Sequence, residues 1–569
     1  MKTYTARPVV SETSRKELQE YSDIVAHILF HRGITSTSAA REFLNPDYAT
    51  GLHDPFLMKD MEKAVVRILT AIKNNERVVI FSDYDADGIP GAVILSDFFK
   101  KINFNNFSNY IPHRHDEGFG LNSNAIEEWV KENVKLVITI DCGIASVKEV
   151  TAISKHAIDV IVTDHHEPGT ELPEAFAIVD AKQSDDMYPY KMLCGAGVVY
   201  KLVQAILSRD RFSLKEGQEK WFLDMAGLAT LADMVPLNGE NRVLATFGLK
   251  VLRKSPRPGI VALCSKLGIQ QAQITEDDIG FSIVPRINAA SRMGESYDAF
   301  RLLSSNDPVE ARALAKHLDT INDERKGTVA AMVREVKKII AERETVESMK
   351  KVIVIGNPKW RPSLLGLVAN SLVDEHSRPV FLWGRDGEEN IKGSCRAGEG
   401  ASVIAIMEKA KHALLEYGGH NASGGFSVAH DVVHKLEEEL VRAYESLPQR
   451  EKVQEDFIDA HLDLKDVTMK LYSSFEALSP FGVGNPKPIF MFRGVIPSEV
   501  KLFGKEKNHL ELSFDIGKNK PLHAIGFFMK PEDFDTPPVA GTAVNLVATL
   551  EKSLFRGFAE LRLRIIDIV

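Results

Sequence analysis

Cysteine is scarce. Cys142, Cys194, Cys264 and Cys395 are the only four in 569 residues, and no two form a CxxC pair. That excludes a disulfide-stapled scaffold and a zinc knuckle, and it suits a reducing compartment. Long apolar runs are missing as well: no stretch approaches the ~18 consecutive apolar residues of a membrane span. The opening MKTYTARPVV has no apolar signal core, so the reading expects a soluble, cytoplasmic protein. Positive charge is not in excess, since 70 Lys+Arg against 79 Asp+Glu leave a formal charge of −9. This excludes a surface coated with cations for nonspecific duplex binding, though not a local basic groove. Tandem repeats and low-complexity tracts are absent too. What remains is the composition of an ordinary folded protein, 44% hydrophobic and 26% charged. At roughly 100–200 residues per domain, three or four domains are expected.

Residues 1–45 read as a mixed, largely helical lead-in. Short apolar runs then alternate with helical stretches. Val78-Val79-Ile80-Phe81 runs into DYDADG, and Leu136-Val137-Ile138-Thr139-Ile140 into Asp141-Cys142-Gly143. Val160-Ile161-Val162-Thr163 runs into Asp164-His165-His166, and Ala177-Ile178-Val179 into Asp180. Continuous apolar runs of this length predict buried parallel strands. In such sheets ligands bind beyond the carboxyl ends of the strands, where the polar residues here lie. A helical pattern over 308–345, interrupted only by Gly327, reads as a spacer. A second α/β unit follows, with strands at Val352-Ile353-Val354-Ile355 and Val380-Phe381-Leu382-Trp383, a helix over 364–373, and a strand over 425–428. From about 455 the pattern becomes short alternating strands, as at Ile489-Phe490-Met491-Phe492, which fits a small β-barrel.

Asp83, Asp85 and Asp87 alternate within DYDADG, and Asp141, His165, His166 and Asp233 follow. Carboxylates with imidazoles suit Mn²⁺ or Mg²⁺, and histidine tilts the choice toward manganese. Two such ions about 3.5–4 Å apart can activate water and stabilise the leaving oxygen of a phosphoester. Each piece alone has a bland reading. An Asp after a strand is usually a turn or cap residue. DxDxDG could imitate a calcium loop, but Ser96 or a neighbour stands where that loop needs its glutamate. The whole set at successive strand ends is much harder to dismiss.

DYDADG, DCG, DHH and LADMVPL resemble, in order, the four motifs of the DHH phosphoesterases. PHRHDEGFGLN, PRINAASRMG, NPKWRPSLLGLVANSL, GGHNASGG and FGVGNPKPIF extend the resemblance to the RecJ family within that superfamily, over roughly residues 75–495. The resemblance implies an α/β fold: a parallel-sheet DHH catalytic domain over 46–305, a connecting helix over 306–350, a DHH-associated α/β domain over 351–452 and an OB-like barrel over 453–569. It implies a metal-dependent exonuclease that degrades single-stranded DNA from the 5′ end to mononucleotides, in recombination and repair. Asp85, Asp87, Asp141, His165 and Asp233 match the family's metal ligands, with Asp141 as the bridge between two divalent ions, Mn²⁺ or else Mg²⁺. His166 would face the scissile phosphate, and Asp83 and Asp164 would support the ligands from behind. Phe81 stands where many relatives place a metal-binding histidine, a departure shared by RecJ-type sequences.

By the same resemblance Arg114, Arg286, Ser394 and Arg396 would surround a terminal 5′ phosphate. Arg292 and His420 are further phosphate or DNA contacts, because arginine grips phosphate bidentately and glycine lets backbone amides approach it. Ala397 and Ser291 depart from the family's usual serine and glycine. Phe119 and Trp360 could stack on bases or serve the core equally well, and Asn485-Pro486 reads as a turn before the barrel. Partners implied are single-stranded DNA, a single-stranded-DNA-binding protein and a helicase. Two rivals remain: a DHH phosphodiesterase acting on short oligonucleotides, cyclic dinucleotides or pyrophosphate, and a non-catalytic DNA-binding scaffold. The barrel weighs against the first and the intact ligand set against the second.

Overall fold

A computed structural model describes residues 4–114, 117–118, 120–122, 125–344, 350–387, 389–398, 400–448, 456–504, 506–517, 520–553 and 560–569. Its contacts divide the chain into two units. The larger takes in His53–Asp233 and Phe247–Val453, and the smaller Met1–Leu52, Met234–Thr246 and Gln454–Val569.

The larger unit is built on a five-stranded sheet in the order Phe107–Tyr110, Arg77–Ser82, Val134–Ile140, Asp159–Thr163, Ala177–Val179, with every pair parallel. The apolar runs are continuous because both faces are covered. On one face Val79, Phe81, Val137, Val160 and Ile178 pack with Trp129, Val150 and Ile153. On the other lie the helices Gly88–Lys101 and Gly195–Arg209, packed against the sheet and each other. Burying each such Val or Ile contributes about 1.5–3 kcal/mol, so the strands hold register and their carboxyl ends form a fixed rim.

Helices Leu223–Ala232, Pro258–Leu267, Val284–Met293 and Ser296–Ser304 complete the catalytic part, and the 37-residue helix Pro308–Glu344 leaves it. That helix does more than span a gap. Its Met332, Val336 and Ile340 are buried with Leu364, Leu365 and Val368 of helix Pro362–His376 in the core of the second α/β region. There a five-stranded sheet runs Glu416–Gly419, Ser423–Val428, Ile391–Arg396, Val380–Arg385, Ile353–Gly356. Only its last pair is parallel.

The smaller unit holds a seven-stranded sheet formed between Ala460 and Ile568, mostly antiparallel, around a core that includes Phe490, Phe492, Leu512, Phe514 and Leu546. The lead-in packs on this core through Leu18, Val25, Ile28 and Leu29, and Tyr4–Ala6 pairs in parallel with Asp456–Ile458. Arg242 joins them: it donates to the carbonyls of Phe43, Leu478 and Ser479, with its guanidinium 3.6 Å from the centre of the Phe43 ring. Asn485 is no plain turn residue, because it is fully buried and its Nδ2 donates to the carbonyls of Leu478 and Pro480, both at 2.7 Å. Among the described residues no helix is long and apolar enough to cross a membrane.

Candidate metal centre and phosphate groove

Three adjacent strands deliver their terminal acids to one point. Arg77–Ser82 ends at Asp83, Val134–Ile140 at Asp141, and Asp159–Thr163 at Asp164-His165-His166. Within DYDADG the loop turns on Asp85, whose Oδ1 accepts from the amides of Asp87 and Gly88 at 2.8 and 3.2 Å. Asn288 of PRINAASRMG braces it by accepting from the Ala86 amide at 2.9 Å. Asp233 closes the site from the end of helix Leu223–Ala232. The ligand atoms fall into three mutually close groups: Asp83, Asp85 and Asp141; Asp87, His165 and Asp233; and Asp141, His165 and His166. Within each group all atoms lie within 4.8 Å of one another.

Asp141 sits at the centre with φ 60, in the left-handed region that a side chain with a Cβ rarely adopts. Strain of this kind persists where surrounding structure enforces it, often at functional sites. Its Oδ1 is 3.0 Å from His165 Nε2. The pair is not aligned as a hydrogen bond, so this buried oxygen, like Asp83 Oδ1, has no donor. A buried carboxylate oxygen without a donor wants a cation. The electrostatics agree. Burial, then the other carboxylates, pushes Asp141 well above the usual carboxylate range. Burial and Asp85 do the same to Asp83. Burial and Asp87 lift Asp233 to about 8, and burial and Asp85 lift Asp87 to about 7. Such a set is stable when protons or metal ions neutralise it, and its O and N donors fit Mn²⁺ or Mg²⁺.

The two histidines differ. Burial, with the charge of His166, pushes His165 down to about 3, so its ring is neutral and can ligate. Burial lowers His166, but the 2.7 Å bond from its Nδ1 to Asp164 Oδ1, with the charges of Asp164, Asp233 and Asp87, lifts it to about 9. Asp164 itself is occupied by its own loop, accepting from the amides of Ile144, His165 and His166. Phe81 offers no donor: it is fully buried and stacks on Tyr110.

Cations gather nearby. Arg114 lies 4.7 Å from the centre of the Tyr84 ring. Burial, then the charges of Arg114 and Arg325, lowers Arg292 to about 10. Arg292 also donates to the Ser363 carbonyl at 2.7 Å, tying the catalytic part to the second α/β region. Arg325, from the long helix, has a buried Nε without a partner, and Asn322 one turn earlier is fully buried with neither amide atom bonded. Neither stood out in the sequence, because a lone polar residue in a long helix reads as a solvated face. A cavity of about 490 Å³ opens here, lined by Tyr84, Arg114, Ser363, Lys392, Tyr417 and Phe426 among others.

The remaining phosphate candidates are placed differently. Ser394 and Arg396 share one strand, with Arg396 Nη1 3.2 Å from Ser394 Oγ. They lie against Gly366, where a Cβ would come within 2.8 Å of Arg396 Nη2. Arg286 is engaged by Asp319 at 3.1 Å and by the Ser282 carbonyl at 2.9 Å. His420 is exposed beyond strand Glu416–Gly419. Trp360 is a core residue, 4% exposed, with its Nε1 donating to Glu335 at 3.1 Å. Phe119 lies outside the described residues.

Residues 77–232 match the family model "DHH family, N-terminal domain" and residues 458–567 match "RecJ OB domain". The single-stranded-DNA-specific exonuclease RecJ of Haemophilus influenzae is 30% identical over 536 residues, covering 92% of this chain and 91% of that protein. This chain belongs to the RecJ family. The exonuclease of the same name from Bacillus subtilis is 33% identical over 539 residues, 94% of this chain, and the chain spans 66% of its length. Among solved structures, that of RecJ from Thermus thermophilus in complex with Mn²⁺ superimposes with a TM-score of 0.81 at 26% identity, covering 100% of this chain and 79% of that one.

Proposed function

We propose that this chain hydrolyses single-stranded DNA from its 5′ end to mononucleotides in a divalent-metal-dependent reaction, serving recombination and repair. The convergence of strand-end carboxylates and His165 into overlapping groups, the ligand atoms of each within 4.8 Å of one another, carries this reading. Asp85, Asp87, Asp141, His165 and Asp233 would hold Mn²⁺ or Mg²⁺, with Asp83 and Asp164 supporting them. Bound ions supply the positive charge that activates water and offsets charge on the phosphoester. The chain's own groups do the rest. His166, held by Asp164 through Nδ1, presents its ring to a phosphate oxygen. Arg114, Ser394 and Arg396 hold the terminal phosphate, Arg286, Arg292 and His420 support the strand, and the barrel binds single-stranded DNA as well. A single-stranded-DNA-binding protein and a helicase would be its partners.

A strand labelled separately at its two ends tests this. With Mn²⁺ the 5′ label should be released first, as a mononucleotide, and faster from a 5′-phosphate than from a 5′-hydroxyl strand. Arg396→Ala should erode that preference by roughly tenfold to a hundredfold, the worth of one charge-assisted hydrogen bond. Release of the 3′ label first would overturn the polarity. Equal slowing on both substrates would remove Arg396 from the terminal pocket.

The histidines should separate in kinetics. His165→Ala is expected to raise the Mn²⁺ concentration needed for half-maximal rate, and His166→Ala to lower the rate at saturating Mn²⁺ by about 10²–10³. If added Mn²⁺ rescued His166→Ala but not His165→Ala, the two roles would be exchanged.

A further inference from the structure

Metal-binding carboxylates need groups behind them to hold their oxygens in place. One turn, Cys194-Gly195-Ala196, does this for two of the carboxylates. Helix Gly195–Arg209 starts against Asp87: the Gly195 amide donates to Asp87 Oδ2 at 2.6 Å and the Ala196 amide to Oδ1 at 2.8 Å. First-turn amides have no partner within their own helix and carry its partial positive charge. A helix is ordinarily capped by the side chain at its N-cap. Here the N-cap is Cys194, which makes no such bond. The capping carboxylate comes instead from the distant DYDADG loop, so the bonds that finish the helix also orient Asp87.

The same turn touches Asp141. A Cβ built on Gly195 would stand 2.6 Å from Asp141 Cβ and 2.8 Å from its Oδ1. Gly195 is not needed for its backbone angles; it is needed because a methyl group would occupy the space of the Asp141 carboxylate. A Cβ on Gly91, on the helix that follows DYDADG, would stand 2.6 Å from Ile140 Cγ2 but only in ordinary contact, 3.4 Å, with Ala196 Cα, so Gly91 lets its helix close on the strand that leads into Asp141.

We propose that the Cys194-Gly195-Ala196 turn is the positioning element of the metal centre. Its two amides fix Asp87, and the missing side chain of Gly195 lets Asp141 stand beside it. Gly195 and Ala196 are positioning residues that act through those two carboxylates. The inference rests on reading the cluster as a metal site.

Manganese titration of the full chain by calorimetry tests it, alongside melting of the metal-free protein. Gly195→Ala should weaken Mn²⁺ binding by roughly tenfold to a hundredfold, as loss of a group supporting a metal ligand does. The metal-free protein should melt somewhat lower, because the added methyl crowds Asp141, and cleavage should recover as Mn²⁺ is raised. A purely structural role would lower the melting temperature and leave Mn²⁺ affinity alone, which would overturn the proposal. Ala196→Pro removes one of the two amide donors, at a first-turn position whose amide has no partner within its own helix. It should weaken Mn²⁺ binding in the same direction, and it decides the matter if Gly195→Ala does not fold. If the wild-type chain binds Mn²⁺ and both variants bind it equally well, the positioning role fails while the metal centre stands. If the wild-type chain binds none, the metal centre itself falls and the positioning role with it.

Discussion

Asp141→Asn is expected to lower the rate of single-strand cleavage by on the order of a thousandfold or more, without loss of fold. Asparagine is the informative replacement because Asp141 has φ 60, and asparagine tolerates the left-handed region while matching the carboxylate in shape. The change removes the charge at the point where the other candidate ligands converge. It also removes one of several buried, mutually repelling carboxylates, since burial and then Asp87, Asp85 and Asp83 all act to keep Asp141 protonated. The metal-free variant should therefore melt no lower than the parent. Mn²⁺ should raise the melting temperature of the parent more than that of the variant. Normal manganese-dependent turnover by purified Asp141→Asn would remove Asp141 from the site.

The second large effect is on stability. Arg257 is nearly buried between three helices. Its Nε donates to Asp224 at 3.0 Å, and its Nη1 donates to Asp97 at 2.9 Å and to the Leu303 carbonyl at 2.7 Å. Burial works against its charge, yet Asp224 and Asp97 hold its pKa above the ordinary arginine value. Asp97 lies on the helix that begins at Asp87, and Asp224 on the helix that ends at Asp233. The guanidinium thus ties together the two helices that carry ligands at their ends. Arg257→Met would leave the buried Asp224 and the partly buried Asp97 facing an apolar side chain, and breaking a buried pair typically costs about 3–5 kcal/mol. Urea unfolding of the full chain, followed through the transition of the larger unit, should show a loss of that size. A loss below about 1 kcal/mol would mean that water replaces the guanidinium.

The strand-end acids were legible because a parallel sheet buried on both faces writes its strands as unbroken apolar runs, so the first polar residue after each run marks the rim. Asp83, Asp141 and Asp164 were found that way, and DYDADG added Asp85 and Asp87. The alternating strands at the end of the chain likewise announced a barrel. What supports the site was not legible. Gly195 and Ala196 meet Asp87 across more than a hundred residues, and a Cys-Gly-Ala string before a helix carries no sign of that contact. Asn288 braces the DYDADG loop from a motif that drew attention only for its arginines. Arg286 and Trp360 have partners that the sequence does not show: Asp319 engages one and Glu335 the other. Side-chain partners on different helices leave no periodic trace in sequence. Neither does the pairing of Tyr4–Ala6 with Asp456–Ile458, which joins the lead-in to the barrel unit.

The central claim is that the carboxylate and histidine cluster is a divalent metal centre. Anomalous diffraction from crystals soaked in Mn²⁺ tests it most directly. The account predicts two manganese peaks among Asp85, Asp87, Asp141, His165 and Asp233, with Asp141 between them, and their loss in Asp141→Asn crystals. Crystals of protein that cleaves single-stranded DNA in the same Mn²⁺ solution, yet shows no manganese peak at this cluster, would contradict it.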